Sequence, residues 1–225
     1  MSIPHHSGET AVGRPRDPQL DDAILRATLA VLDETGYAKL SLEEVARRAG
    51  TTRPAIYRRW PGRVPLVLAA IAVRLAVPTP PDTGCTLCDL GEGLNVFLAA
   101  YRTIRPDVLI ALYADCATDP ELRGRYMSTV VEPPRQAVGC TIDRAIGRGD
   151  LRADLDREML LDMVSSLVHY RALFGRLHLT DTEAEEAIET LLRGAAVDYE
   201  ALVEHSEAME LEHTAPGGSH TAHHT

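Results

Sequence analysis

The chain has 225 residues, a formal net charge of -10 and 45% hydrophobic residues, enough for one large core or for a small module beside a larger body. It does not open on a cationic stretch followed by an apolar one, and its longest apolar run, residues 64–73, is too short to span a bilayer, so a soluble, cytoplasmic protein is expected. Charge is unevenly spread: residues 11–75 hold eleven Arg and Lys against seven acids, or +4, and the remainder carries -14. That asymmetry is expected when one end of a chain meets phosphates and the other does not.

Residues 1–15 are rich in Gly, Pro, Ser and His and predict a disordered arm. Asp17-Pro18 sets an N-cap before a proline at N1, and an apolar stripe through Ile24, Leu25, Leu29 and Leu32 runs to Gly36, which predicts a first helix over about residues 17–35. Ser41 with Glu44 fits a capping box, and Val45, Ala46 and Ala49 carry a two-turn helix to Gly50. Thr52 caps a third short helix that ends near Trp60-Pro61-Gly62, and an apolar fourth helix follows over about residues 63–76. A capped two-turn helix, a glycine turn and a second capped short helix spell helix-turn-helix. The head is thus expected over residues 16–76.

The Pro-rich stretch 77–87 cannot continue a helix and predicts a linker. Beyond it a body over 88–205 is expected, with helices at about 88–103, 106–117, 119–147, 156–178 and 182–205, and a disordered tail over 206–225. No run alternates as a strand would, so the fold class is all-α: a three-helix DNA-binding head plus a C-terminal helical bundle. Cys116 and Cys140 lie in apolar helical patterns and are expected as reduced core residues. Cys85 and Cys88 form one Cys-x-x-Cys, half of a zinc knuckle or a redox motif. With no second pair or nearby histidine, it reads as a coincidence of linker composition. Five of the nine histidines lie at or after His205, without a helical pairing that would make a metal site. No cofactor or metal is expected.

A recognition helix needs an N-terminus near phosphate, side chains that reach base edges and a buried opposite face. Residues 51–60 supply all three. Thr51, Thr52 and Arg53 open the helix, and arginine matches guanine O6 and N7. Ala55 is small enough to meet a thymine methyl, Tyr57 offers a ring and a hydroxyl, Arg58 and Arg59 extend the basic edge, and Ile56 faces inward. Arg16, on the arm, adds a further basic contact. Each residue alone also fits an ordinary helix surface; the combination is what points to DNA.

The stretch Gly50-Thr51-Thr52-Arg53-Pro54-Ala55-Ile56-Tyr57-Arg58-Arg59-Trp60 resembles the signature G-V-S-K-G-T-L-Y-R-H-F of the TetR family of transcriptional regulators, with matches from Ile24 through Ser41 and Ala46 to Arg63 and Leu66. The resemblance covers residues 16–73. It implies DNA contacts at Thr52, Arg53, Tyr57 and Arg58, a phosphate contact at Arg63 and a backbone contact at Ser41. Pro54 stands for the family's Gly, Trp60 for its Phe, and Pro65 sits in the first turn of helix four; proline is tolerated there.

Two heads one helical turn of DNA apart require a homodimer. The apolar excess of the last two helices points to the seam: Leu160, Met163, Leu167, Tyr170, Phe174 and Leu177 on one, Ile188, Leu191, Leu192, Ala195 and Tyr199 on the other. The resemblance further implies a small-molecule effector pocket in the body, for which Phe97, Tyr101, Leu112, Tyr113, Cys116, Tyr126, Met127 and His169 are the candidates, and a repressor released from a palindromic operator. A regulator without a small-molecule ligand, an activator or global regulator, and, remotely, a helical-bundle enzyme stay open; no nucleophile–base pair or catalytic acid pair is visible.

Overall fold

The computed structural model describes residues 17–175 and 179–193, and no strand occurs among them. The expected arm, with Arg16, and the tail lie outside the described residues, as do Leu177, Ala195 and Tyr199. Helix α1 spans Pro18–Thr35 and is capped by Asp17, whose carboxylate accepts from the amides of Gln19 (3.0 Å) and Leu20 (3.5 Å). Helix α2 spans Leu42–Arg48. The Glu44 amide donates to Ser41 Oγ at 3.4 Å, but the Glu44 carboxylate turns to Arg47 and Arg48, so only half of the capping box forms.

Gly50 makes the turn between α2 and α3. Its φ of +62° lets the Thr51 amide reach Ala46 O (2.9 Å) and its own amide reach Arg47 O (3.3 Å), the paired bonds that satisfy the last carbonyls of a helix. Helix α3, Arg53–Tyr57, follows; Thr52 occupies the N-cap position without a side-chain capping bond, which corrects the capping role expected for its hydroxyl. Helix α4 spans Arg63–Arg74 with Pro65 in its first turn, where its missing N–H removes no helical bond.

In the body, α5 spans Thr86–Thr103, α6 Pro106–Cys116, α7 Pro120–Tyr126, α8 Glu132–Arg148 and α9 Arg157–Leu173. One long helix was expected over 119–147; instead α7 and α8 are separated by a π turn at Met127–Val131, in which the Glu132 amide donates to Met127 O, five residues back. Pro133 and Pro134 are the reason: neither can donate to the carbonyl four residues earlier, and the turn before them widens. Helix α9 also ends short of 178, because Gly175 adopts φ +76°. Helix α10 spans Asp181–Arg193 and belongs to a unit separate from the preceding helices.

One apolar core runs from the head into the body: Ile24, Val31, Val45, Ile56, Leu66, Val67 and Ile71 pack in the same cluster as Ile104, Val108, Leu109, Leu112 and Cys116. The expected core position of Cys140 is corrected, since Cys140 is exposed, whereas Cys116 is buried. The reading of Cys85 and Cys88 as a linker coincidence is also corrected: their sulfurs are joined in a disulfide. Among the described residues no helix is long and apolar enough to cross a membrane.

Candidate nucleic-acid interface and body cavity

Ile56 is fully buried, an apolar burial that contributes about 2 kcal/mol and fixes the roll of α3. The opposite edge is then set. Thr52, Arg53, Tyr57 and Arg58 are exposed together on it, Tyr57 at 39%. Arg53 Nη2 donates to the Tyr57 hydroxyl at 3.0 Å and its guanidinium lies 5.2 Å from the Tyr57 ring centre. Arg53 Nη1 also pairs with Glu43 Oε1 at 2.6 Å, and Ser41 Oγ donates to Glu43 Oε2 at 3.1 Å. Glu43 is held below the usual carboxylate range by its own backbone amide, then by Ser41 and Arg53. An acid that sequence reasoning passed over therefore joins Ser41, Arg53 and Tyr57 into one cluster.

Three expected contacts sit elsewhere. Ala55 is buried, because it lies beside Ile56 on the packed side of a helix of only five residues, so its methyl is not on the exposed edge. Thr51 is half-buried in the turn. Arg59 pairs with Asp21 of α1 and donates to Ala55 O (3.1 Å), a part-buried brace between α1 and α3. Much of the head's positive charge is likewise engaged: Arg47 and Arg48 pull Glu44 down to about 2, and Arg74 bonds Asp33 at 2.6 and 2.7 Å. Arg58 has no ion-pair partner among the described residues.

Arg63 opens α4 and is tied to the body. Its guanidinium stacks over Tyr37 (4.4 Å to the ring centre) and its Nη2 lies 2.7 Å from Asp115 Oδ2 on α6, which also accepts from the Tyr37 hydroxyl at 2.7 Å. The Tyr37 hydroxyl and then Arg63 hold Asp115 below the usual carboxylate range, while burial and then Asp115 push the Tyr37 phenol up.

The body holds a cavity of about 310 Å³ walled by α5, α6, the end of α7, the π turn, the start of α8 and α9. Phe97, Tyr101, Tyr113, Tyr126, Met127 and His169 line it, joined by Ala100, Leu109, Ile110, Val130, Val131, Pro134 and Leu173, which sequence reasoning missed. The Pro133-Pro134 pair inside a helical pattern is the signal that could have marked the π-turn wall. Leu112 and Cys116 are placed elsewhere: both are fully buried in the core shared with the head and neither lines the cavity. The periodicity of α6 could not separate core from cavity wall, since Leu109 belongs to both.

His169 Nδ1 lies 2.7 Å from Ser165 O, so that nitrogen carries the proton and Nε2 is the ring atom left to accept from a guest. The ring meets Tyr101 edge-on at 5.7 Å and Phe97 at 6.3 Å. The Tyr113 and Tyr126 rings meet at a tilt with their centres 5.2 Å apart, and burial pushes both Tyr101 and Tyr126 upward, so each remains a neutral phenol near neutral pH.

On α9, Leu160 is buried with Val164 and Val168, Leu167 is half-buried, and Met159, Met163, Tyr170, Leu173 and Phe174 are exposed, the last at 67%. On α10, Ile188 is buried, Leu191 half-buried and Leu192 exposed.

Residues 24–70 match the family model described as bacterial regulatory proteins, tetR family, and residues 80–191 match the tetracyclin repressor-like C-terminal domain. The chain is 26% identical to the HTH-type transcriptional regulator YdeS of Bacillus subtilis, over 81% of this chain and 92% of that one. It is 26% identical to the DNA-binding transcriptional repressor TetR of Mycobacteroides abscessus, over 68% and 82%. The crystal structure of the TetR family transcription regulator SCO0332 superposes with a TM-score of 0.59 at 27% identity, over 79% of this chain and 99% of that one. The protein belongs to the TetR family and is a helix-turn-helix, DNA-binding transcriptional regulator.

Proposed function

We propose that two copies of the chain grip a palindromic operator as a cytoplasmic homodimer repressor, and that a small aromatic molecule entering the body cavity releases them. The observation that carries the reading is the double role of α6. One side of this helix gives Leu109, Ile110 and Tyr113 to the cavity, while Asp115 on the same rigid element holds Arg63 and Tyr37 of the head.

Thr52, Arg53, Tyr57 and Arg58 make the operator-reading edge, with Ser41 and Arg63 on phosphate. A guest that separates α6 from the π turn moves Asp115 with it and shifts Arg63 relative to α3. The ligand then prefers the arrangement that cannot place both heads on DNA, a coupling of typically about 1–3 kcal/mol. The lining fits a flat, moderately lipophilic molecule with one hydrogen-bond donor for His169 Nε2 and an acceptor for a tyrosine hydroxyl.

The exposed stripe of Met163, Tyr170 and Phe174, with the Tyr170 and Phe174 rings 4.8 Å apart, supplies the apolar, aromatic surface that a subunit interface buries. The repressor named among the relatives favours release over activation as the mode of control. The test is selection of purified protein against random duplexes at physiological salt, with the enriched duplex then used to screen aromatic ligands for release. An enriched palindrome released by a compound whose effect is lost in Ala100→Phe, which fills the cavity, is the expected result; a folded dimer that enriches nothing would overturn the proposal.

A further inference from the structure

Neither DNA reading nor the body cavity uses the Cys85-x-x-Cys88 pair. The two residues are exposed, their Cα atoms are 5.3 Å apart and their sulfurs are joined. Cys85 is the N-cap of α5, and Cys88 lies in the first turn with its amide directed at Cys85 Sγ (3.3 Å). The turn that carries them is fixed from both sides. Thr86 Oγ donates to Asp150 Oδ2 at 2.6 Å and accepts from Arg148 at 2.8 Å, while the Thr83 amide and hydroxyl bond the buried Asp89 at 2.8 and 2.7 Å.

None of these anchors involves sulfur. The backbone therefore keeps Cys85 and Cys88 within reach of each other whether or not they are bonded, and ring closure starts from a pre-organised pair. The other two cysteines behave differently: Cys116 is buried, and Cys140 is exposed without a partner cysteine. Among the described residues no third His, Cys, Asp or Glu stands with the pair as a metal ligand set, so its chemistry is that of two thiols.

We propose that Cys85 and Cys88 form a reversible dithiol–disulfide site that exchanges with small disulfides of the glutathione type. In the oxidising direction the Cys85 thiolate, faced by the Cys88 amide, attacks one sulfur of the small disulfide. An S–S bond forms to Cys85 as the first small thiolate leaves and takes up the proton that Cys85 lost. The Cys88 thiolate then attacks Cys85 Sγ, closes the protein disulfide and expels the second small thiolate, which takes up the Cys88 proton. Two protein thiols are oxidised by two electrons, one small disulfide is reduced to two thiols, and excess small thiol runs both steps backwards.

The test equilibrates the full-length protein in buffers of reduced and oxidised glutathione at a series of ratios, followed by acid quench, alkylation and peptide mass mapping. The 85–88 peptide is expected to lose two hydrogens and carry no glutathione, with the ratio of dithiol to disulfide following the squared concentration of reduced glutathione divided by the concentration of oxidised glutathione. Cys140 is expected to take up one glutathione with a first-power dependence, and Cys116 to stay unmodified. In Cys85→Ser, Cys88 is expected to behave as Cys140 does. Cys85 and Cys88 each carrying glutathione in the native protein, or both staying thiols at ratios that modify Cys140, would overturn the proposal. DNA binding does not enter this readout, so the result stands apart from the operator assignment.

Discussion

The head and the body of this protein are both helical and share one core, yet α3 and α6 show their roles very differently. Helix α3 has one buried residue pair and an otherwise polar exposed edge, so its sequence alone says which side chains can meet a partner. Helix α6 gives apolar residues both to the core, Leu112 and Cys116, and to the cavity, Ile110 and Tyr113, and Leu109 serves both. A surface built to meet something outside the molecule is readable from one helix; a cavity exists only once several elements have packed.

The sharpest way to break this contrast is to remove the outward edge. Tyr57→Ala and Arg58→Ala are each expected to weaken operator binding by about 10- to 100-fold, the range of about 1–3 kcal/mol for a lost specific contact. Helical circular dichroism and dimer mass should be unchanged, because both side chains are exposed. Anisotropy titrations of the selected operator would show it, and native affinity in both variants would remove α3 as the reading helix.

Asp115→Asn tests the inward side. Without the carboxylate, Arg63 meets its phosphate without giving up an ion pair, so ligand-free affinity should rise, by a coupling change on the order of 1 kcal/mol. The log–log salt slope should also steepen, by at most about 0.9, the value for one phosphate whose arginine is no longer shared with a carboxylate. The ligand should release this variant less completely, since α6 no longer holds the head. An unchanged slope together with native release would mean that Asp115 does not carry the signal.

What the sequence made legible follows this division. Asp17, Ser41, Gly50 and the buried Ile56 announce the head because caps, turns and helical periods are local events. The Pro133-Pro134 pair was passed over inside one expected helix; it could have marked a disturbance but not the π turn, whose form depends on where Glu132 finds an acceptor. Arg59 and Arg63 counted as free cations in the sequence, and tertiary partners, Asp21 and Asp115, took them. No spacing rule brings Asp115 to Tyr37, because Tyr37 lies in the connection after α1 and Asp115 on α6, and the two meet only in the folded chain.

Glu43 offers a smaller test within the head. Its carboxylate occupies Arg53 on the edge proposed to face DNA, where it would both repel phosphate and compete with it. Glu43→Gln is expected to raise affinity for random duplex by about two- to fivefold while leaving operator affinity nearly constant, lowering the ratio of the two. Filter binding on both duplexes decides it; an equal rise on both would make Glu43 a general charge and not a discriminator.

The least effect is expected from pH. Asp115 is depressed in the folded protein by Tyr37 and Arg63, so the stability it contributes is present above the ordinary carboxylate value of about 3.9 and is lost as pH falls through its lower folded value. The latch is therefore fully charged between about pH 5 and 8, and ligand-free stability should not vary through it in that window. With Asp115 39% exposed, solvent screening limits the contribution to a few tenths of a kcal/mol. Denaturant midpoints of the native protein and Asp115→Asn should differ by a constant amount from about pH 5 to 8 and converge below about pH 4. A difference that grows between pH 5 and 7 would instead require a group titrating near neutrality against the latch, and none of Tyr37, Arg63 and Asp115 titrates there.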